Sequence, residues 1–389
     1  MSNLLDLSDY DVSNPFHTKG YISKKYFCNR NEETKRLASA LANGRNTTLI
    51  SNRKYGKTGL IAHLFNQNPE VLSCYVDVFS TNSAKEFTNI LGSALLSAIE
   101  TKPDKLMRLV KSLVLGIRPS FSYDSYSGVP KVDLNVQTDK QAFSSLEAIF
   151  RWITDQNQKI WLAIDEFQQV TQYEQPGFEA RLRSILQFCQ HASVVFSGSN
   201  RHLLWPIFTD GTRPFYSSTD MMELGPIENQ DYLPFIEGHF REGKMQWEPE
   251  IIEEWLARTR THTYYVQVCM NMLFGMKPKR WKPIDFEIAF ENILKHQENQ
   301  YIVLRNILPA NHWNFLEALA AEGTLAQPSS SEFLTRYALG AASSNRHILG
   351  KLEMQELVIK ENDLYRLADP LFEQWFRRRY SRNKPRFQR

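Results

Sequence analysis

The sequence predicts an α/β protein in three parts: a core built on a parallel sheet, an all-helical segment and a C-terminal winged helix. Three observations carry this. Short apolar runs alternate with helical periodicity as far as Leu224, the pattern of strand–helix–strand repeats joined by right-handed crossovers. From Asn229 to about Gln300 the spacing is helical throughout. Three short helices and a hairpin then close the chain.

The elements follow in order. Met1 to Ser13 is polar and acidic and reads as a flexible N-terminus. Glu32 to Leu41 has helical spacing and precedes a first strand, Thr47-Thr48-Leu49-Ile50. The strand runs into Ser51-Asn52-Arg53-Lys54-Tyr55-Gly56-Lys57-Thr58-Gly59, with a helix continuing over Leu60 to Phe65. This is the G-x-x-x-x-G-K-[ST] phosphate loop with Ser51 in place of the first glycine. Its backbone N–H groups and helix N-terminus face the β-phosphate, Lys57 reaches β/γ oxygens and the Thr58 hydroxyl binds Mg²⁺. Leu72 to Val78 is the second strand, and Phe87 to Ile99 the helix after it. Near 118–136, Ser120 to Tyr123 and Lys131 to Leu134 flank Ser125-Tyr126-Ser127-Gly128, a hairpin inserted into the repeat.

Phe143 to Thr154 is helical and leads to Ile160-Trp161-Leu162-Ala163-Ile164-Asp165-Glu166. A continuous apolar run fits a strand covered on both faces, and carboxylates at its C-terminal end sit where ligands bind in open α/β sheets. Asp165 is read as holding Mg²⁺, directly or through a water, and Glu166 as the residue that polarises an attacking water. Arg181 to His191 is the next helix, Ser193 to Ser199 the next strand, and Met221 to Leu224 a fifth strand. The expected organisation is a core over 14–228, a helical lid over 229–305, a winged helix over 306–380 and a basic tail over 381–389. In the last third, Trp313 to Ala321, Ser329 to Tyr337 and Ser343 to Met354 are three helices, the second and third with serine caps. Val358 to Lys360 and Leu364 to Leu367 form the wing. The third helix is expected to show Asn345, Arg346, His347 and Lys351 outward, towards base edges or phosphates.

Composition narrows the class. With 42% hydrophobic and 23% charged residues, the 389-residue chain is ordinary globular protein of more than one domain. No run approaches the length of a membrane span and no signal-peptide pattern opens the chain, so a cytoplasmic protein without membrane contact is expected. Cys28, Cys74, Cys189 and Cys269 are widely spaced and read as small core residues. The net charge of +3 is uneven: Arg377 to Arg389 carries seven basic residues and no acid, while the remaining 39 basic and 43 acidic residues leave the rest at −4. Such a tail can meet phosphates or an acidic protein surface.

With these parts in order, the chain resembles the archaeal-type ATPase family within the AAA+ and STAND group of P-loop proteins, from Asn14 to about Arg378. Asn14-Pro15-Phe16 and Phe27-Cys28-Asn29-Arg30-Asn31-Glu32-Glu33 are similar to the family's N-P-F and F-x-x-R-x-x-E box beside the adenine. Asp165-Glu166-Phe167-Gln168 resembles its D-E-F-Q, Ser197-Gly198-Ser199 its S-G-S after the sensor strand, and Asp369-Pro370-Leu371-Phe372 with Trp375 its D-P-L-F-x-x-W close. The resemblance implies a P-loop ATPase core with helical lid and winged helix, and adds Pro15, Phe16, Arg30 and Ser197 to the nucleotide site. Two departures stand out. Pro214-Phe215-Tyr216 continues with Ser217 and Ser218 where the family has glycine and arginine, and Thr261-His262-Thr263 replaces G-x-P in the lid, which leaves Arg258 and Arg260 as poor sensor candidates.

The expectation is a Mg²⁺-dependent ATPase, slow as an isolated subunit, whose nucleotide state controls engagement of a protein partner. The alternative is a DNA-binding ATPase resembling origin-recognition proteins, which uses the winged helix and basic tail. A third reading keeps the nucleotide as structural ballast. A homo-oligomer is a further candidate assembly.

Overall fold

The computed structural model describes residues 14–99, 120–123, 130–134, 136–155, 159–276 and 280–381. Residues 20–225 form one compact unit, and 14–19 with 226–381 a second. The segment expected to be a flexible N-terminus, the hairpin turn at 125–128 and the tail from 382 lie outside the described residues.

The first unit runs α1 (Asn31–Ala42), β1 (Thr47–Ile50), α2 (Lys57–Asn66), β2 (Leu72–Asp77), α3 (Ala84–Ile99), β3 (Ser120–Tyr123), β4 (Pro130–Asp133), α4 (Asp139–Asp155), β5 (Ile160–Asp165), α5 (Phe178–Phe188), β6 (Ala192–Gly198), α6 (Arg201–Thr209) and β7 (Asp220–Glu223). β3 and β4 pair antiparallel as a hairpin. The other five strands form one parallel sheet in the order β2-β5-β6-β1-β7. Alternation along each strand divides its side chains between two helical layers. Ile160, Leu162 and Ile164 of β5 join Cys74, Val76, Val194 and Phe196 under α3, α4 and α5. Trp161 and Ala163 join Leu49, Val195 and Met222 under α1 and α2. Ile160, Leu162 and Ile164 are fully buried, each contributing about 1.5–3 kcal/mol relative to exposure. The same parity puts Asp165 on the α2 side, because it follows Trp161 and Ala163 at even spacing. All five strands point the same way, so Ile50, Asp77, Asp165, Gly198 and Glu223 share one carboxyl edge.

On the outer side of α2, His63 is buried, stacks on Phe27 at 4.4 Å and has Nδ1 3.0 Å from the Tyr21 hydroxyl. Burial, then the nearby Lys24 ammonium, lowers its pKa from 6.5 to about 4. The unfolded chain therefore takes up this proton near pH 6.5 while the folded chain does so only near 4, so the stability His63 contributes is complete above 6.5 and is lost as pH falls towards 4. His63→Phe, which keeps the stack, should reduce the slope of melting temperature against pH in that window. An unchanged slope would assign acid sensitivity elsewhere.

The second unit is helical up to the wing: α7 (Asn229–Glu242), α8 (Pro249–Thr259), α9 (Thr263–Met276), α10 (Pro283–Ile307), α11 (Ala310–Glu322), α12 (Ser331–Arg336), α13 (Ala342–Met354), β8 (Val358–Glu361), β9 (Leu364–Leu367) and α14 (Pro370–Ser381). Asn362 and Asp363 both take positive φ, the backbone of a tight hairpin turn between β8 and β9. Asp369 ties the unit together. Its Oδ1 caps α14 through the N–H groups of Leu371 and Phe372, and its Oδ2 accepts from Tyr265 at 2.6 Å and Tyr301 at 3.2 Å. All four cysteines are buried, and none forms a disulfide. Among the described residues, no helix is long and apolar enough to cross a membrane.

Two expectations for the winged helix are corrected. Asn345 is 1% exposed, and its Nδ2 donates to the carbonyls of Leu339 and Ala341, so it faces the core and supports the chain into α13. Ser330 caps α12 by accepting from Phe333 N, but α13 starts after Ala341 and has no side-chain cap, since Ser343 already lies inside its first turn. Arg377, Arg378 and Arg379 lie in α14, where Arg377 pairs with Glu373, Arg378 with Glu287 and Glu291, and Arg379 with Glu298.

Candidate nucleotide site

The site is built where β1 ends. Gly56 has φ +97°, a left-handed conformation that glycine adopts without a Cβ clash, and it turns the chain directly into α2. Lys57 and Thr58 are the first residues of that helix, whose opening N–H groups have no intrahelical acceptor and present partial positive charge to an anion. Ser51, in place of the expected glycine, is 3% exposed and is not among the positive-φ residues, so a side chain there costs no backbone strain. Its hydroxyl donates to Asn52 O at 2.9 Å. Lys57, 7% exposed, donates to both the carbonyl and hydroxyl oxygens of Ser51 at 3.2 Å, so its ammonium lies folded over the loop. Asn52, Arg53, Lys54 and Tyr55 form the crest; Arg53 and Lys54 are exposed and Tyr55 is buried.

Opposite this loop stands Asp165, 4% exposed and fully satisfied by four donors. Ser197 Oγ at 2.6 Å and Glu166 N at 3.0 Å reach Oδ1; Tyr75 OH at 2.6 Å and Thr58 Oγ1 at 3.2 Å reach Oδ2. Burial first, then the Asp165 charge, pushes the Tyr75 pKa far up, so its hydroxyl stays protonated and is the donor. Glu166 takes a left-handed conformation at φ +55° as the chain leaves β5. Its Oε2 accepts from Gln168 Nε2 and, at 3.4 Å, from Ser199 Oγ. The other end of the Gln168 amide fills the space a Cβ on Gly198 would need, so the glycine at the end of β6 leaves room for it. Asp77, next to Asp165 in register, is held above the usual carboxylate range by burial, against the opposing Phe79 N–H, with Asp165 adding to the rise.

Thr58 and Asp165 offer hard oxygen atoms on one side of the loop, the donor chemistry that suits Mg²⁺. Among the described residues no cluster of three His, Cys, Asp or Glu side chains could hold a metal. Phe16 is fully buried in the second unit, edge-on to Phe235, His239, Phe240 and Phe274, with Pro15 buried beside it. Arg30, 5% exposed, pairs with Glu33 at 2.8 Å and donates to Gly225 O at 2.6 Å, pinning α1 to the chain beyond β7. Arg213, beside the segment that lacks the family arginine, is committed to Glu179. Arg258 pairs with Glu254 and Glu287, and Arg260 with Glu373. Sequence reasoning missed Tyr75, although its place two residues before the end of a strand neighbouring β5 is a usable signal.

A family model described as a probable winged helix domain matches residues 299–378. No curated protein sequence matches the chain. Among solved structures, the Walker-type ATPase of Pyrococcus abyssi superposes with a TM-score of 0.65 at 16% identity, covering 93% of this chain and 99% of that one. The ORC2 protein of Aeropyrum pernix, in its ADPNP–ADP complexes, superposes with a TM-score of 0.58 at 14% identity, covering 94% and 98%. The chain therefore has the P-loop parallel-sheet fold with a C-terminal winged helix domain.

Proposed function

We propose that the chain is a Mg²⁺-dependent ATPase that works as a slow switch, its nucleotide state controlling engagement of a protein partner. The observation that carries this is the convergence of Lys57, Thr58, Asp165 and Glu166 on one carboxyl edge, each held by hydrogen bonds rather than exposed by chance. Gly56 to Gly59 and the loop from Ser51 would cradle the phosphates, Thr58 and Asp165 would hold the cation, and Ser197 would orient Asp165. Bound Mg²⁺ would neutralise charge on the β/γ bridge. Glu166 would orient and polarise the attacking water. Slow turnover follows from arginines that are engaged elsewhere: Arg213, Arg258 and Arg260 are all ion-paired. Phosphate release by the purified chain should run on the order of 10⁻² s⁻¹ or slower, the range of P-loop switches without a trans-acting arginine. ATP bound with no release above a Lys57→Ala background would leave only the structural-nucleotide reading.

A second reading, DNA contact, is favoured by Arg346, His347 and Lys351, exposed on α13. It is weakened by the wing, where Lys360 pairs with Asp363 and Arg366 with Glu361. On this reading duplex DNA is retained at low salt, and removing Arg346 and Lys351 together lowers the slope of log affinity against log salt by about 0.9 per lost phosphate contact. No retention at low salt, with or without ATP, eliminates it.

A further inference from the structure

Asp165 has no lone pair left for a metal. A carboxylate offers about four acceptor sites, and Ser197, the Glu166 N–H, Thr58 and Tyr75 fill them. Thr58 is the donor that follows the loop lysine, where a hydroxyl meets the cation of a phosphate loop, and its contact is the longest of the four at 3.2 Å. The Tyr75 contact, at 2.6 Å, competes for the same Oδ2. Tyr75 comes from the strand beside β5, two residues before the Asp77–Asp165 register pair, and packs against the cluster under α2. Its ring is therefore fixed from two sides.

Resting on the nucleotide-site reading above, we propose that Tyr75 is a specificity-determining residue for the divalent cation. By occupying Oδ2 it keeps Asp165 from ligating the metal directly, and the acceptor site that Thr58 would vacate as its oxygen turns to the cation is left for a metal-bound water. That arrangement favours Mg²⁺, which gives up its waters reluctantly. It disfavours Ca²⁺, which takes carboxylate oxygens readily and in larger number.

The test compares wild type with Tyr75→Phe, which removes one oxygen and keeps the ring packing. The half-saturating Mg²⁺ and Ca²⁺ concentrations are measured for binding of a non-hydrolysable ATP analogue, with metal-free ADP binding as the control. The ratio of the Ca²⁺ to the Mg²⁺ value should fall by at least about tenfold in the variant, roughly the factor carried by one hydrogen bond to a charged group. ADP affinity should not move. An unchanged ratio overturns the proposal, as does equal weakening with both metals and ADP, which would mark Tyr75 as a packing residue. If the wild type shows no metal-dependent nucleotide binding at all, the nucleotide reading falls as well, so the two failures are distinguishable.

Discussion

Lys57→Ala is expected to abolish nucleotide binding while leaving the fold intact. Lys57 is 7% exposed, and its ammonium donates to the carbonyl and hydroxyl of Ser51 at 3.2 Å. Neither contact closes the loop, because Gly56 at φ +97° and the start of α2 set its path. Ser51 keeps its own bond to Asn52 O after truncation. The melting temperature should therefore stay close to wild type. Binding should not, because the lysine exchanges Ser51 for phosphate oxygens, and two charge-assisted hydrogen bonds at about 1.5–3 kcal/mol each correspond to a loss of at least about a hundredfold. Arg53 and Lys54 are exposed on the crest of the loop and cannot take over a buried position. Calorimetric titration with Mg²⁺-ATP checks this, and unchanged affinity in the variant would remove the phosphate-loop reading.

Much of the core was legible because its signals are local. The run from Ile160 to Ile164 has no polar residue to mark a solvent face, and two covered faces are what the structure shows. Parity then fixes the side from which Asp165 meets Thr58. The departures from expectation come from contacts the local pattern does not contain. Arg378 and Arg379 look like the start of a basic tail, yet their acids Glu287, Glu291 and Glu298 lie on α10, some eighty to ninety residues away. Asn345 was legible in principle: with Ile348, Leu349 and Leu352 it falls at the spacing of one buried helix face, and all four are buried. Its polarity disguised its position. Phe16 illustrates the limit of a motif, since a short match locates a residue in a family pattern without saying which of its neighbours will enclose it.

Glu166→Gln should keep ATP binding and lower turnover by at least about a hundredfold, the lower end of what a positioned base supplies. The substitution is conservative in a specific way. Glu166 Oε2 already accepts from Gln168 Nε2 and Ser199 Oγ, so a glutamine will place its carbonyl oxygen there and turn its amide nitrogen to the other side. That side is where a water would have to be polarised, and an NH₂ group donates where a carboxylate would accept. The left-handed backbone at φ +55° is no harder for glutamine than for glutamate, so the loop after β5 should not shift. Single-turnover phosphate release with the bound fraction measured in parallel separates the chemical step from affinity. A wild-type rate would take the base role from Glu166, and it could not pass to its neighbours by default. Asp165 has every acceptor site occupied, and Gln168 has no basic oxygen to offer. Of the other carboxylates at this edge, Glu223 pairs with Arg201, whereas Asp77 has a raised pKa that favours proton uptake, and Asp77→Asn would then be the variant that loses turnover.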